Sequence, residues 1–336
     1  MDATLAIAIG LAFAFALTNG FHDASNAIAT LVATRAATPA QAIALAAVFN
    51  MLGPILIGSA VAATIAGIVQ VPADQTVAVI GAGLIGATSW NLLTWWRGLP
   101  SSSGQALVGG LVGAALVAGG TSAVNWGGFD GWRPVGVIGT LVALAISPVI
   151  GGVAAFVTLR LLRRSLRRGS ARLRSPVNRS QWAGAAALAF SHGSNDAQKA
   201  VGLVAALLLA AGKTQSLSAP LWATVGSAAA LTLGTAFGGW RIVKTIGQRI
   251  YRIRALDGFS SQASSSAVIL GASFLGAPIS TTHVVASSII GIGVGRRRWH
   301  HVRWEIVREM GIAWLTTIPA SAVIAAVAFM IWRWVA

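Results

Sequence analysis

Two eight-residue segments, set 173 residues apart, are variants of one another, and each carries an aspartate into apolar surroundings. They read Gly20-Phe21-His22-Asp23-Ala24-Ser25-Asn26-Ala27 and Gly193-Ser194-Asn195-Asp196-Ala197-Gln198-Lys199-Ala200. A charge inside an apolar helix costs at least ~2.5–3.5 kcal/mol on insertion scales, so it faces a partner or lines a polar pathway. The chain holds only eight acidic residues, and these two lie within its long apolar stretches. Recurrence over that distance means a unit used twice, which restricts the fold to a duplicated architecture. Paired intramembrane charges in such a frame point to transport.

Apolar residues make up 55% of the chain and charged residues 10%, where a soluble domain carries about 25%. With a mean hydropathy of +0.74, this reads as an all-α integral membrane protein. There is no cysteine, so thiol catalysis, disulfides and sulfur-ligated metals are excluded. The net charge of +16 is concentrated between apolar segments, over Arg160–Arg179, Arg241–Arg254 and Arg296–Arg308. That distribution marks cytoplasmic loops and an affinity for anionic headgroups, not nucleic-acid binding.

About ten hydrophobic segments are visible, near 3–34, 41–66, 77–93, 104–119, 134–159, 181–211, 219–238, 265–275, 283–294 and 311–334. A helix needs about 20 residues to span. The segments 265–275 and 283–294 therefore read as a re-entrant hairpin around Gly276-Ala277-Pro278-Ile279-Ser280-Thr281-Thr282-His283. The pair 77–93 and 104–119 forms its counterpart around Gly98-Leu99-Pro100-Ser101-Ser102-Ser103. With the arginine-rich loops inside, parity puts both chain ends outside. The expected division is a first membrane repeat over 1–159, a cytoplasmic arginine-rich linker over 160–180, and a second repeat of inverted topology over 181–336. Broken helices in matching positions of inverted repeats point to a substrate site at the midplane.

Each aspartate cluster opens on a glycine, Gly20 or Gly193, where the helix is expected to break and let Asp23 or Asp196 hold a cation or a proton. Each hydroxyl cluster follows a proline and precedes an apolar helix: Ser101-Ser102-Ser103 and Ser280-Thr281-Thr282. Such helix N-termini cap themselves through hydroxyls and offer free N–H groups to an anion. Lys199 stands where the first repeat has Asn26, and Asp196 three residues earlier is its nearest partner. His22 and His283 read as hydrogen-bonding supports beside the clusters, and Trp90 as an interfacial anchor.

At these residues the chain resembles the inorganic phosphate transporter (PiT) family, and its bacterial low-affinity branch in particular. The resemblance rests on Gly20-Phe21-His22-Asp23 with Asn26, on His192-Gly193-Ser194-Asn195-Asp196, on Pro278–His283 and on Pro100-Ser101-Ser102-Ser103. It implies phosphate import by cation symport through alternating access, across a cell membrane and in a homodimer. It also implies that Asn26, Ser102, Ser103, Asn195, Ser280, Thr281 and Thr282 hold phosphate, while Asp23 and Asp196 hold the coupling cation, with Lys199 beside them. No enzyme activity and no resident cofactor follow from it, and no metal ligand is named. Gly104 and Gln105 depart from the family pattern, as does Lys199, which weakens the case for a sodium site in the second half. The charge count favours protons: two aspartates and one lysine leave about one negative charge, and phosphate adds more to a low-dielectric site. A divalent metal can accompany phosphate as a neutral complex. The alternatives are sodium coupling, or sulfate as the substrate. An intramembrane aspartyl protease is disfavoured, because neither a Gly-Leu-Gly-Asp nor a Pro-Ala-Leu element is present.

Overall fold

A computed structural model describes residues 2–130, 133–166, 174–237, 239–296 and 298–335, and they form a helical molecule. The helices are α1 (Ala3–Ala33), α2 (Pro39–Leu56), α3 (Ala60–Ala66), α4 (Ala73–Arg97), α5 (Ser103–Gly119), α6 (Gly136–Ser165), α7 (Arg174–Ala210), α8 (Leu221–Phe237), α9 (Trp240–Lys244), α10 (Ala255–Phe274), α11 (Thr281–Gly295) and α12 (Trp304–Val335). A two-residue β pair, Phe129–Asp130 with Arg133–Pro134, is the one sheet among the described residues. Among the described residues, six helices are long and apolar enough to cross a membrane: α1, α2, α4, α5 with its 3₁₀ extension, α6 and α12. The bent pair Leu221–Phe237 and Trp240–Arg249, which turns by 64°, makes a seventh if it is one span.

All ten apolar segments appear as helices, with revised ends. The 41–66 segment is two helices, α2 and α3, separated at Ile57–Ser59. The segment expected over 265–275 is the end of a 20-residue helix that begins at Ala255. Its first half is hidden in the sequence because Ser260, Ser261, Gln262, Ser264, Ser265 and Ser266 are polar yet buried. Likewise α4 runs 25 residues and satisfies the length of a span. The linker expected over 160–180 is helical at both ends, to Ser165 and from Arg174, and its residues 167–173 lie outside the described residues.

The helices do not break at Gly20 or Gly193; α1 and α7 run through both. These glycines serve close helix approach. A Cβ at Gly20 would collide with the Leu231 carbonyl of α8, and one at Gly193 with the Asn50 carbonyl of α2. The chain breaks instead at two matched turns after α4 and α10. Gly98 (φ 67°) and Gly276 (φ 68°) adopt the left-handed conformation there. The paired bonds Gly98 N–H to Trp95 O with Leu99 N–H to Thr94 O recur as Gly276 N–H to Ser273 O with Ala277 N–H to Ala272 O. A left-handed C-terminal residue favours glycine, because a Cβ would crowd the carbonyl.

The packing is reciprocal. α1 lies against α8 as α7 lies against α2; α4 and α5 lie against α12 as α10 and α11 lie against α6. Exchanging α1, α2, α4, α5 and α6 for α7, α8, α10, α11 and α12 reproduces the same pairings, the mark of a two-fold repeat. On the outside, α6 exposes Val149 and Val153 and α12 exposes Leu315 and Val323, apolar surface suited to lipid.

Candidate functional site

The four motifs converge. Ser102 is the N-cap of α5, its Oγ accepting the Gln105 N–H at 3.2 Å, and Ser280 caps α11 through the His283 N–H at 3.2 Å. Proline before each cap and hydroxyls at the cap make these ends form where they do. Both ends meet the middle of α1 and α7, and one potential ligand atom from each of Asp23, His192 and Asp196 lies within 4.8 Å of the others.

Asp23 accepts from three sides. Thr282 Oγ1 donates to Oδ1 at 2.7 Å, Ser103 Oγ lies 2.9 Å from Oδ2, and His22 Nδ1 lies 2.9 Å from Oδ1. Ser103 Oγ is also 2.8 Å from Asn19 Oδ1, so its single proton has two acceptors. The Nε2 of His22 is 3.1 Å from Thr94 Oγ1, whose hydroxyl donates to the Trp90 carbonyl at 2.8 Å. With the threonine proton used in that way, Nε2 is the donor to Thr94, and a proton taken up at this pair would lie between His22 Nδ1 and Asp23.

Asp196 is held otherwise. Lys199 Nζ donates to Oδ1 and reaches the Ile279 carbonyl at 3.3 Å, while Thr281 Oγ1 donates to Oδ2 at 2.9 Å. His192 Nε2 is 2.9 Å from the same Oδ2, outside hydrogen-bonding alignment, and its Nδ1 pairs with Asn50 Oδ1 at 3.0 Å. Asn26 joins the halves: its Nδ2 donates to Thr282 at 3.0 Å and points to Thr281 at 3.4 Å. Asn195 lies at the margin, donating to Ser273 Oγ at 3.1 Å.

Of the ten expected residues, Asp23, Asn26, Ser103, Asp196, Lys199, Thr281 and Thr282 form one bonded cluster. Ser102 and Ser280 cap its two helices, and Asn195 borders it. Asp23, Asp196 and Lys199 are each 1% exposed, so the site is closed to solvent. Asn26 Oδ1, Asn195 Oδ1, Asn19 Nδ2 and Gln105 Oε1 are buried without a partner, polar atoms able to meet a ligand.

Sequence reasoning missed His192, Asn50, Asn19 and Thr94. The spacing of His192 four residues before Asp196 on one helix was the available signal; the others become visible only through packing between helices. His283 does not support the aspartates; its ring packs on Trp314 with centroids 4.0 Å apart. Trp90 is no mere interfacial anchor, because its Nε1 donates to Thr317 at 2.9 Å beside Ser101.

The sequence matches the phosphate transporter family twice, over residues 19–178 and 166–325. It is 40% identical over 324 residues to a probable low-affinity inorganic phosphate transporter of Bacillus subtilis, covering 95% of this chain and 94% of that one. It is 39% identical to a protein of the same description from Rhizobium meliloti, covering 98% of each. Among solved structures, one described as "The sodium-dependent phosphate transporter" superposes with a TM-score of 0.89 at 26% identity over the whole of both chains. These matches join a duplicated helical architecture to a duplicated motif set, and the chain belongs to the phosphate transporter family, whose members are multi-pass transporters and not enzymes.

Proposed function

We propose that this protein imports inorganic phosphate across the cell membrane by proton symport. In this reading the repeats are of inverted topology, both chain ends lie outside, the pairs α4–α5 and α10–α11 enter as hairpins, and the protein works as a homodimer. The observation that carries the proposal is the convergence of two capped helix N-termini on two buried aspartates and one buried lysine. Helix N-termini, hydroxyls and an ammonium suit a tetrahedral oxyanion. Ser102, Ser103, Ser280, Thr281 and Thr282, with Asn26 and Asn195, would donate to phosphate oxygens. Asp23 and Asp196, with Lys199, would govern the coupling cation.

Charge favours proton coupling. Two carboxylates against one ammonium leave about one negative charge, and a phosphate cannot join them in a low-dielectric site uncompensated. Asp23, the carboxylate not paired with the lysine, has His22 Nδ1 2.9 Å from its Oδ1, and a coupling proton taken up there would offset the added charge. Alternating access would expose the cluster to each face in turn. A monoprotonated phosphate can also donate a hydrogen bond to a carboxylate, whereas sulfate cannot.

Sodium coupling is the second reading, carried by the superposable sodium-dependent transporter and by the close approach of Asp23, His192 and Asp196. Those atoms could equally hold a divalent metal that travels with phosphate as cargo. The test of substrate is uptake of labelled phosphate into proteoliposomes with sulfate as competitor. Phosphate uptake untouched by excess sulfate and absent in Asp23→Asn supports the proposal. Full competition by sulfate, or undiminished uptake by Asp23→Asn, contradicts it.

A further inference from the structure

Roughly 15 Å along α1 from Asp23, at a rise of ~1.5 Å per residue, the helix ends beside a second polar feature. It is a cavity of about 1360 Å³, lined among others by Arg35, Arg252, Arg254, Arg296, Arg298 and Arg303. Guanidinium groups stay charged at any working pH, so six around one space repel one another unless anions enter. Among the described residues, Asp257 is the one carboxylate within ion-pair distance of these arginines, held by Arg296 at 2.6 Å. The lining is therefore heavily cationic.

Two further observations mark the place as built. Arg35 is the only non-glycine with positive φ (57°) among the described residues. Its N–H bonds the Val32 carbonyl and that of Ala36 the Leu31 carbonyl, the same turn that glycine makes at Gly98 and Gly276. An L-residue there costs on the order of 1–2 kcal/mol, a strain found where a side chain is needed. A polar stripe also runs from the buried site to this cavity. Asn26 and Thr30 follow Asp23 at spacings of three and four on one face of α1, and Thr34, four residues on, caps its C-terminus. Gln262 Nε2 donates to Thr30 at 2.9 Å, and Thr34 donates to Gln181 Oε1 at 2.7 Å. Ser261 and Ser288 pair at 2.6 Å across the facing helices α10 and α11.

We infer that the arginine cavity is a second anion site, for a phosphate group, at the end of a polar lane from the buried cluster. Guanidinium forks match phosphate oxygens two at a time. The volume exceeds the ~300–1,000 Å³ of an ordinary small-molecule pocket, which fits several hydrated phosphates or a phospholipid headgroup with its glycerol. Anion binding there stands on the cavity alone; its use as a mouth of the transport path rests on the function proposed above.

The test uses the full chain in detergent, with inorganic phosphate as probe, in wild type, in Asp23→Asn and in the triple variant Arg252→Gln/Arg298→Gln/Arg303→Gln. Phosphate binding that survives Asp23→Asn, weakens with added salt and drops at least about tenfold in the triple variant is expected, because exposed charges are screened. A parallel arm reconstitutes each protein with phosphatidylglycerol in phosphatidylcholine and counts retained lipid by native mass spectrometry. Phosphatidylglycerol retained by wild type and lost from the triple variant assigns the cavity to a headgroup; loss of phosphate binding without a lipid effect assigns it to free phosphate. A triple variant that binds both probes as wild type does overturns the inference. Failure of the transport proposal shows separately, as uptake that does not respond to Asp23→Asn.

Discussion

Asp23 is held by hydroxyls and Asp196, its counterpart, by an ammonium. The repeat correspondence makes the exchange explicit. Thr282 reaches across from the second repeat to Asp23. The residue equivalent to Thr282 in the first repeat is Gly104, which has no hydroxyl to send to Asp196. Lys199, equivalent to Asn26, stands there instead, and a Cβ at Gly104 would lie 3.2 Å from its Nζ. The two departures from symmetry are one: the missing side chain makes room for the lysine, and the lysine supplies the missing donor. One half-site thus surrounds its carboxylate with hydroxyls and an imidazole, while the other sets a lysine beside its carboxylate.

The largest effect tests the charged half. Asp196→Asn leaves the Lys199 ammonium buried without a counter-charge, a loss of about 3–5 kcal/mol, whereas Asp196→Asn/Lys199→Asn removes both charges and costs much less. Thermal unfolding in detergent reads the difference. Equal destabilisation by the single and the double variant would break the pairing.

Next are the close approaches that the halves share. Gly20→Ala and Gly193→Ala each drive a methyl into a facing carbonyl, so each costs about 1–3 kcal/mol, and by similar amounts. A lowered midpoint for one variant and not the other would contradict the reciprocal packing.

These glycines also show what could be read from sequence and what could not. The duplication, the apolar segments and seven members of the buried cluster were legible, because membrane burial leaves few polar residues and the repeat singles out those that matter. The role of Gly20 and Gly193 was not, since a glycine in a helix reads equally as a break or as a close contact, and only the facing carbonyl decides. The early start of α10 was hidden by its serines and Gln262, which look like a loop until Gln262 is bonded to Thr30 and Ser261 to Ser288. Asn50 joins the site through contact between helices, pairing with His192, which no spacing along the chain announces.

A milder pair of predictions sharpens the asymmetry. Lys199→Asn/Gly104→Thr gives the second half the donors of the first and removes the internal cation. Its uptake is expected to become stimulated by sodium about tenfold, within the range of ordinary coupling energies. No sodium response in that variant would separate the lysine from ion choice. Smallest is the loss of single hydroxyls. Thr282→Val removes one of the donors to Asp23 and should weaken apparent phosphate affinity by about 0.5–1 kcal/mol. Thr281→Val should cost less, because Asp196 retains Lys199. The reverse order in KM would argue against the assignment of donors.

If Lys199 takes the place of an external cation, protons alone drive uptake. The direct measurement is initial phosphate uptake by wild-type proteoliposomes under an inward proton gradient without sodium, then under an inward sodium gradient at equal pH. Accumulation is expected in the first condition and none above equilibration in the second. Accumulation that follows sodium and ignores the proton gradient would contradict proton coupling and the role given to Lys199.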